Sequence, residues 1–302
     1  MAQSVATRMM LSADAALSSP QWFEFRECSL VGTREFGASE GHRGTRQPAS
    51  CRARVLKDLC QGTFSGRLNA AEIDWIMPRV FFAASGATLI PGENASSSDA
   101  KFFAFVDKVV EFYLYNKLRV NQFTLSGSES NYLDWSFACV GELESSGGSW
   151  PVSPVAPSCG VALTFQDVVF TYSGTPYTPQ SFTLTINNNL IPTIENSLTP
   201  TLYEAGNMEV SLDMTFDFRD ATNSLSNNKT LYRAALAGAA ASLAVNDGTN
   251  TYTFSFANLK IPDGAPTIPV EGRLSMPLKM MAYRSTNALA GATDHVVRLI
   301  KT

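Results

Sequence analysis

The sequence predicts a mainly β protein of two tandem β-sandwich or barrel domains, each with one flanking α-helix and a long loop or hairpin. Three observations carry this. In 207–218, Val210, Leu212, Met214, Phe216 and Phe218 alternate with Glu209, Ser211, Asp213, Thr215 and Asp217, so a strand there has one apolar and one wet, acidic face. Burying such side chains is worth roughly 1.5–3 kcal/mol each, and a one-residue slip would turn three carboxylates into a core. Nine Tyr, nineteen Phe and many Thr favour strands. At 302 residues the chain is longer than one ordinary domain, and the order of its elements recurs.

Residues 1–21 read as a flexible N-terminal arm, because Asp14 interrupts what would be the apolar stretch of a signal peptide. The first domain spans 22–144 and opens on a short aromatic strand in 22–31. A polar stretch follows, spaced by Gly32, Gly37, Gly41 and Gly44. It leads into Arg43, Arg46, Arg52, Arg54 and Lys57, with no acid between Glu40 and Asp58. This is a long loop or hairpin with a basic tip. The strand 61–68 sends Phe64 and Leu68 to one face and Thr63, Ser65 and Arg67 to the other. Asn69 caps a helix over 70–77 that Pro78 stops. A Gly/Ser-rich loop fills 85–100, and strands are expected at 101–115, 118–126 and 132–143. In the last, Leu133, Trp135, Phe137 and Cys139 alternate with Asp134, Ser136 and Ala138, which places Trp135, like the helical Trp75, in a core.

The Pro/Gly/Ser-rich stretch 145–160 is a linker. The second domain, 161–302, holds strands at 161–172 and 179–187 and then a loop over 188–206 that carries Glu195 and Glu204. The alternating strand follows, then a helix over 228–241. The turn Asn246-Asp247-Gly248 precedes closing strands at 251–259 and 273–284. Matching the strands near Gly62 and Met208 gives an offset of 208 − 62 = 146; matching those near Phe102 and Thr251 gives 251 − 102 = 149. Element order and offset together point to an internal duplication.

A net charge of −4 argues against a chain that grips nucleic acid through an overall positive field. Cys28, Cys51, Cys60, Cys139 and Cys159 are odd in number and lack CxxC spacing, which fits reduced thiols in a cytoplasm-made protein. No apolar run approaches the ~20 residues of a membrane helix. His42 and His295 have no carboxylate or cysteine at ligand spacing, and no nucleophile elbow, zinc-protease, phosphate-loop or dinucleotide motif occurs. Glu209, Asp213 and Asp217 recur along one strand face, the pattern of a solvated stripe and not of an acid/base pair across a cleft. These features exclude an enzyme and imply no metal and no cofactor.

The second half resembles bacteriophage tail tube (major tail) proteins. The residues that carry the likeness are Ser181-Phe-Thr-Leu-Thr-Ile-Asn-Asn-Asn-Leu190, the strand 208–218, Leu231-Tyr-Arg-Ala-Ala-Leu236, Tyr252-Thr-Phe-Ser-Phe-Ala-Asn-Leu-Lys-Ile-Pro262 and Val270-Glu-Gly-Arg-Leu-Ser-Met-Pro-Leu278, closing on Met281-Ala-Tyr-Arg284. The first half is similar to the same family through Ser29-Leu30 and Val120-Asn-Gln-Phe-Thr-Leu125, and its insertion at 84–100 departs from it.

The resemblance implies a structural virion protein that polymerises as stacked rings into the hollow tube conducting DNA into the host. Its partners are then itself, other tail proteins (tape measure, terminator and tip), and double-stranded DNA in transit without sequence-specific binding. No membrane is among them, and assembly takes place in the host cytoplasm. Two domains per chain imply a trimeric ring with pseudo-six-fold symmetry; a hexamer with one half outside is the competitor. Glu209, Ser211, Asp213, Thr215 and Asp217, with Thr63, Ser65 and Arg67, are expected to face the lumen, although an ordinary outer surface is open to them too. Arg43, Arg46, Arg52, Arg54 and Lys57 are expected to meet Glu195 and Glu204 of the next ring, or else to form a solvated basic loop. A carbohydrate-binding β-sandwich, a head-decoration or tail-terminator ring protein, and the tube of a contractile secretion system are the alternatives.

Overall fold

The fold is built around one long strand shared by both halves of the chain. The structure is a computed structural model that describes residues 8–13, 20–37, 54–92, 94–98, 100–108, 111–146, 162–217, 228–263, 275–284 and 295–302. In chain order the elements of the first half are β1 (Arg8–Ser12), β2 (Gln21–Trp22), β3 (Glu27–Cys28), β4 (Val31–Gly37), β5 (Arg54–Arg67), α1 (Ala70–Val80), β6 (Thr88–Leu89), β7 (Phe102–Asp107), β8 (Phe112–Ser128), β9 (Asp134–Gly141) and β10 (Leu143–Ser146). The second half adds β11 (Val168–Tyr172), β12 (Thr175–Tyr177), β13 (Ser181–Asn187), β14 (Ile191–Thr193), β15 (Leu202–Glu204), β16 (Glu209–Asp217), α2 (Asn228–Ala237), β17 (Ala239–Asn246), β18 (Thr251–Asp263), β19 (Ser275–Tyr283) and β20 (Val297–Lys301). The protein is mainly β, with a large antiparallel sheet, two α-helices and no closed barrel among the described residues.

The pairing order repeats. In the first half it runs β4–β5–β9–β8–β7–β1–β2, with β10 continuing the line of β9 along β8. In the second half it runs β13–β16–β19–β18–β17–β11–β12, with β20 continuing the line of β19 along β18. A bulge also recurs at matching places. Arg119 pairs with Val140 and Gln122 with Ala138, while Lys260 pairs with Met281 and Asp263 with Lys279. Each number rises by 141: 260 − 119, 281 − 140, 263 − 122 and 279 − 138. One extra residue in the longer strand turns it at the same point in both halves.

A seam joins the halves. Residues Gln122–Ser128 of β8 pair with all seven residues of β13, so one sheet continues from the first half into the second. One apolar cluster, which includes Met9, Trp135, Phe182, Phe216 and Leu299, fills the interior behind it. Helix α1 packs on β8 and α2 on β18. Asp74 of α1 also reaches into the second half, accepting from Tyr252 Oη at 3.2 Å and from Lys301 Nζ at 2.7 Å.

Four expectations change. Arg8–Ser12 is a strand with Met9, Met10 and Leu11 buried, not part of a flexible arm. Helix α1 runs through Pro78 to Val80: Pro78 falls in the last turn, and the Asn69–Glu72 capping box fixes the start. The second helix stops at Ala237, because Gly238 takes φ +83 and turns the chain into β17. The first strand after that helix is therefore β17, so Thr251 in β18 corresponds to β8, and the match of Thr251 to Phe102 is out of step. Strand β20 lies beyond the last strand expected from the sequence, 273–284. Of the cysteines, Cys28, Cys60 and Cys139 are free; burial pushes the Cys60 thiol up to about 12, with Glu144 adding to it.

Candidate functional site

The polar face of the alternating strand is one part of a wide surface. Alternation sends Val210, Leu212, Met214 and Phe216 inwards, and Glu209, Ser211, Asp213, Thr215 and Asp217 outwards. Antiparallel register then sets outward residues of neighbouring strands side by side. The row Ser65–Ser136–Thr124–Thr185–Ser211 crosses β5, β9, β8, β13 and β16 and carries a hydroxyl at every step. The next row, Arg67–Asp134–Ser126–Thr183–Asp213–Lys279, crosses six strands with opposite charges adjacent at both ends. On the other side Thr63, Ala138, Gln122, Asn187 and Glu209 line up. All eight residues expected to act together therefore share one face, and that face spans both halves.

Several of its polar groups have partners on the same face. Arg67 lies over the Tyr132 ring, 4.5 Å from its centre, and Arg26 NH1 sits 3.0 Å from Asp134. Gln180 donates to Asp217, and Ser29 and Thr63 share a hydroxyl hydrogen bond of 2.8 Å. Asp213 stands opposite Lys279. A surface of hydroxyls and amides with interspersed charges of both signs binds water well and offers no fixed cluster of cations to a polyanion. The alternation of β9 and β13 was readable in the sequence, but their joining β5 and β16 to one face depended on register across the seam.

The contact loops are only partly described. Arg43, Arg46 and Arg52 lie outside the described residues; Arg54 begins β5 opposite Gly37. Lys57 Nζ stands 3.9 Å from Glu35 of its own hairpin. Glu195 and Glu204 are exposed around the β14–β15 hairpin. That hairpin reaches the base of the basic arm within the same chain, where Asp58 N–H donates to Leu198 C=O at 2.7 Å. Arg119, buried, fastens the region: its Nε donates to Ala95 C=O, NH1 to Lys117 C=O, and its guanidinium lies 3.8 Å from the Tyr203 ring centre. Sequence reasoning had no reason to single out Arg119, since one arginine on a strand gives no sign of which loops it will hold.

No group of three or more His, Cys, Asp or Glu side chains among the described residues could hold a metal ion. No described helix is long and apolar enough to cross a membrane. A family model described as phage tail tube protein matches residues 9–289. The chain belongs to the phage tail tube protein family. It is thus a structural tail tube protein, a component of the virion tail. The match begins inside β1, runs past β19 and stops before β20, so it takes in most of both halves of the tail tube chain. A comparison with curated proteins returned no match.

Proposed function

We propose that three copies close into a ring, that rings stack into the tail tube, and that the polar face lines the channel through which DNA passes. The observation that supports this best is the run of polar rows across the β8–β13 seam, which makes the two halves one wall. The recurrent pairing order supports reading the halves as a duplicated unit. Side by side, β4, β5, β9, β8, β13, β16, β19 and β18 give eight strands per chain. Three copies make 3 × 8 strands, a perimeter of about 115 Å and a backbone diameter of about 37 Å before strand tilt widens it. Two copies would give about 24 Å, which inward side chains fill with no room for a duplex.

The wall is suited to passage. DNA carries one negative charge per ~1.7 Å, and each free cation touching phosphate would hold it. Here Arg67 is stacked on Tyr132, while Glu209, Asp213 and Asp217 concentrate negative charge on β16. Negative-stain electron microscopy with native mass on the same sample tests the assembly; hollow tubes built from three-chain rings are expected, and rings of six chains would overturn the trimer. Asp213→Lys should leave tubes intact and slow DNA release from virions severalfold. A tube map with Asp213 and Thr185 on the outside would remove the lumen assignment.

A further inference from the structure

The interface between the two halves of one chain shows what the outer side of the first half lacks. In the second half, α1 covers the start of β18 and β20: Asp74 binds Tyr252 and Lys301, and Ile73, Met77 and Pro78 line a cavity of about 280 Å³ with Tyr252 and Leu299. The shift of 141 between β8 and β18 puts Glu111 where Tyr252 stands (252 − 141) and Tyr113 where Phe254 stands (254 − 141). Ser146 pairs with Tyr113 as Leu299 pairs with Phe254. The corresponding surface of the first half is an open groove of about 490 Å³, lined by Gly32, Arg34, Glu111, Tyr113, Glu144 and Ser146 among others. No described helix lines it.

The matching helix is α2. Asn228 corresponds to Ala70 and buried Leu231 to buried Ile73, each 158 residues on, so Leu236 takes the place of Pro78. Pro78 is covered, whereas Leu236 is 55 % exposed.

The adjoining strand edge agrees. Glu129→Gln180 and Asn188→Asn121 hydrogen bonds extend the seam register, so even-numbered residues of β13 bond β8. In the first half, Ser29 N–H bonds Thr63 C=O on β5, leaving the outward groups to even-numbered Leu30 and Gly32. Side chains of the same chain occupy them. Leu30 C=O accepts from Tyr115 Oη at 2.9 Å and Lys108 Nζ at 3.0 Å, and Gly32 N–H donates to Glu144 Oε2 at 2.9 Å. Residues 115 and 144 correspond to Phe256 and Val297 in the second half (256 − 115 = 141; Glu144 pairs with Tyr115 as Val297 with Phe256), which are apolar and buried. Polar plugs thus stand only where no strand covers the edge, a common guard against uncontrolled pairing.

We infer that the second half of a neighbouring copy docks here, seating α2 in the groove beside the edge plugged by Tyr115, Lys108 and Glu144. This rests on the ring reading and names its contact. The test pairs Leu236 with Glu111, which take the places of Pro78 and Tyr252 in the cavity at the second half, and is read by sedimentation of tubes grown from purified wild-type seeds. Leu236→Glu should lower sedimented protein at least fivefold, and adding Glu111→Lys should restore at least half of it. In wild-type protein, hydroxyl-radical footprinting should label Leu236 in free chains and find it protected in tubes; this measurement does not depend on any variant folding. Full assembly of Leu236→Glu, or equal labelling of Leu236 in free chains and tubes, overturns this contact while leaving the ring reading in place. Wild-type chains that never assemble on seeds would instead remove the ring reading itself.

Discussion

Glu72 shows how one residue can carry opposite demands. Its N–H bond to Asn69 and its own reach back to the Asn69 N–H form the capping box that starts α1. Trp135 Nε1 donates to the same carboxyl at 2.9 Å, and Glu72 Oε1 is buried with no hydrogen-bond partner. Burial pushes the carboxyl up to about 7, against the lowering effect of the Trp135 and Asn69 hydrogen bonds. Since the folded value exceeds the unfolded one near 4.5, the folded chain holds the extra proton between them, and stability falls as pH rises from about 4.5 to about 7. Glu72→Gln keeps an acceptor for both donors and removes the charge. The variant should melt higher than wild type at pH 8, by on the order of 2–3 kcal/mol, and match it near pH 4.5. An unchanged slope of melting temperature against pH would assign the pH dependence to other groups.

At the scale of elements, Gly238 ends α2 and starts β17 in a single residue. Its φ of +83 is open to glycine, and a Cβ there would meet Lys260 Cγ at 2.4 Å and Asn258 Oδ1 at 2.5 Å. Gly238→Ala should cost about 1–2 kcal/mol in urea unfolding, and a neutral result would mean that the cap relaxes freely. This is also where the sequence misled. Ala239 and Ala241 continue an alanine-rich run with good helix propensity, and only tertiary pairing with β11 and β18 makes them a strand. Elsewhere local chemistry spoke clearly: the alternation of β16, β13 and β9, the cap at Asn69 and the turn at Asp247 are all set by residues within one element. Strand β20 is short, and its five residues are placed by β18 and β6, so no local pattern announced it. The polar face was legible strand by strand. Its width was not, because register between distant strands is fixed by the shared core.

Across the whole molecule, the seam and the common core predict one unfolding event. All four tryptophans, Trp22, Trp75, Trp135 and Trp150, precede residue 151, while strands of the second half contribute heavily to backbone circular dichroism. Because β8 pairs with β13 and α1 is tied to Tyr252 and Lys301, tryptophan fluorescence and far-ultraviolet circular dichroism should report one midpoint in denaturant. Two separated transitions would show that the halves unfold independently. The same seam has a mechanical side. Pressure inside a ring pulls its wall along the circumference, which is the direction of hydrogen bonds between upright strands. Between β8 and β13 that tension is spread over seven residue pairs within one covalent chain. At a junction between copies in the proposed ring, the edge at Leu30 and Gly32 carries side-chain plugs of its own chain instead. A tube overloaded from within should therefore tear between chains and leave each chain whole.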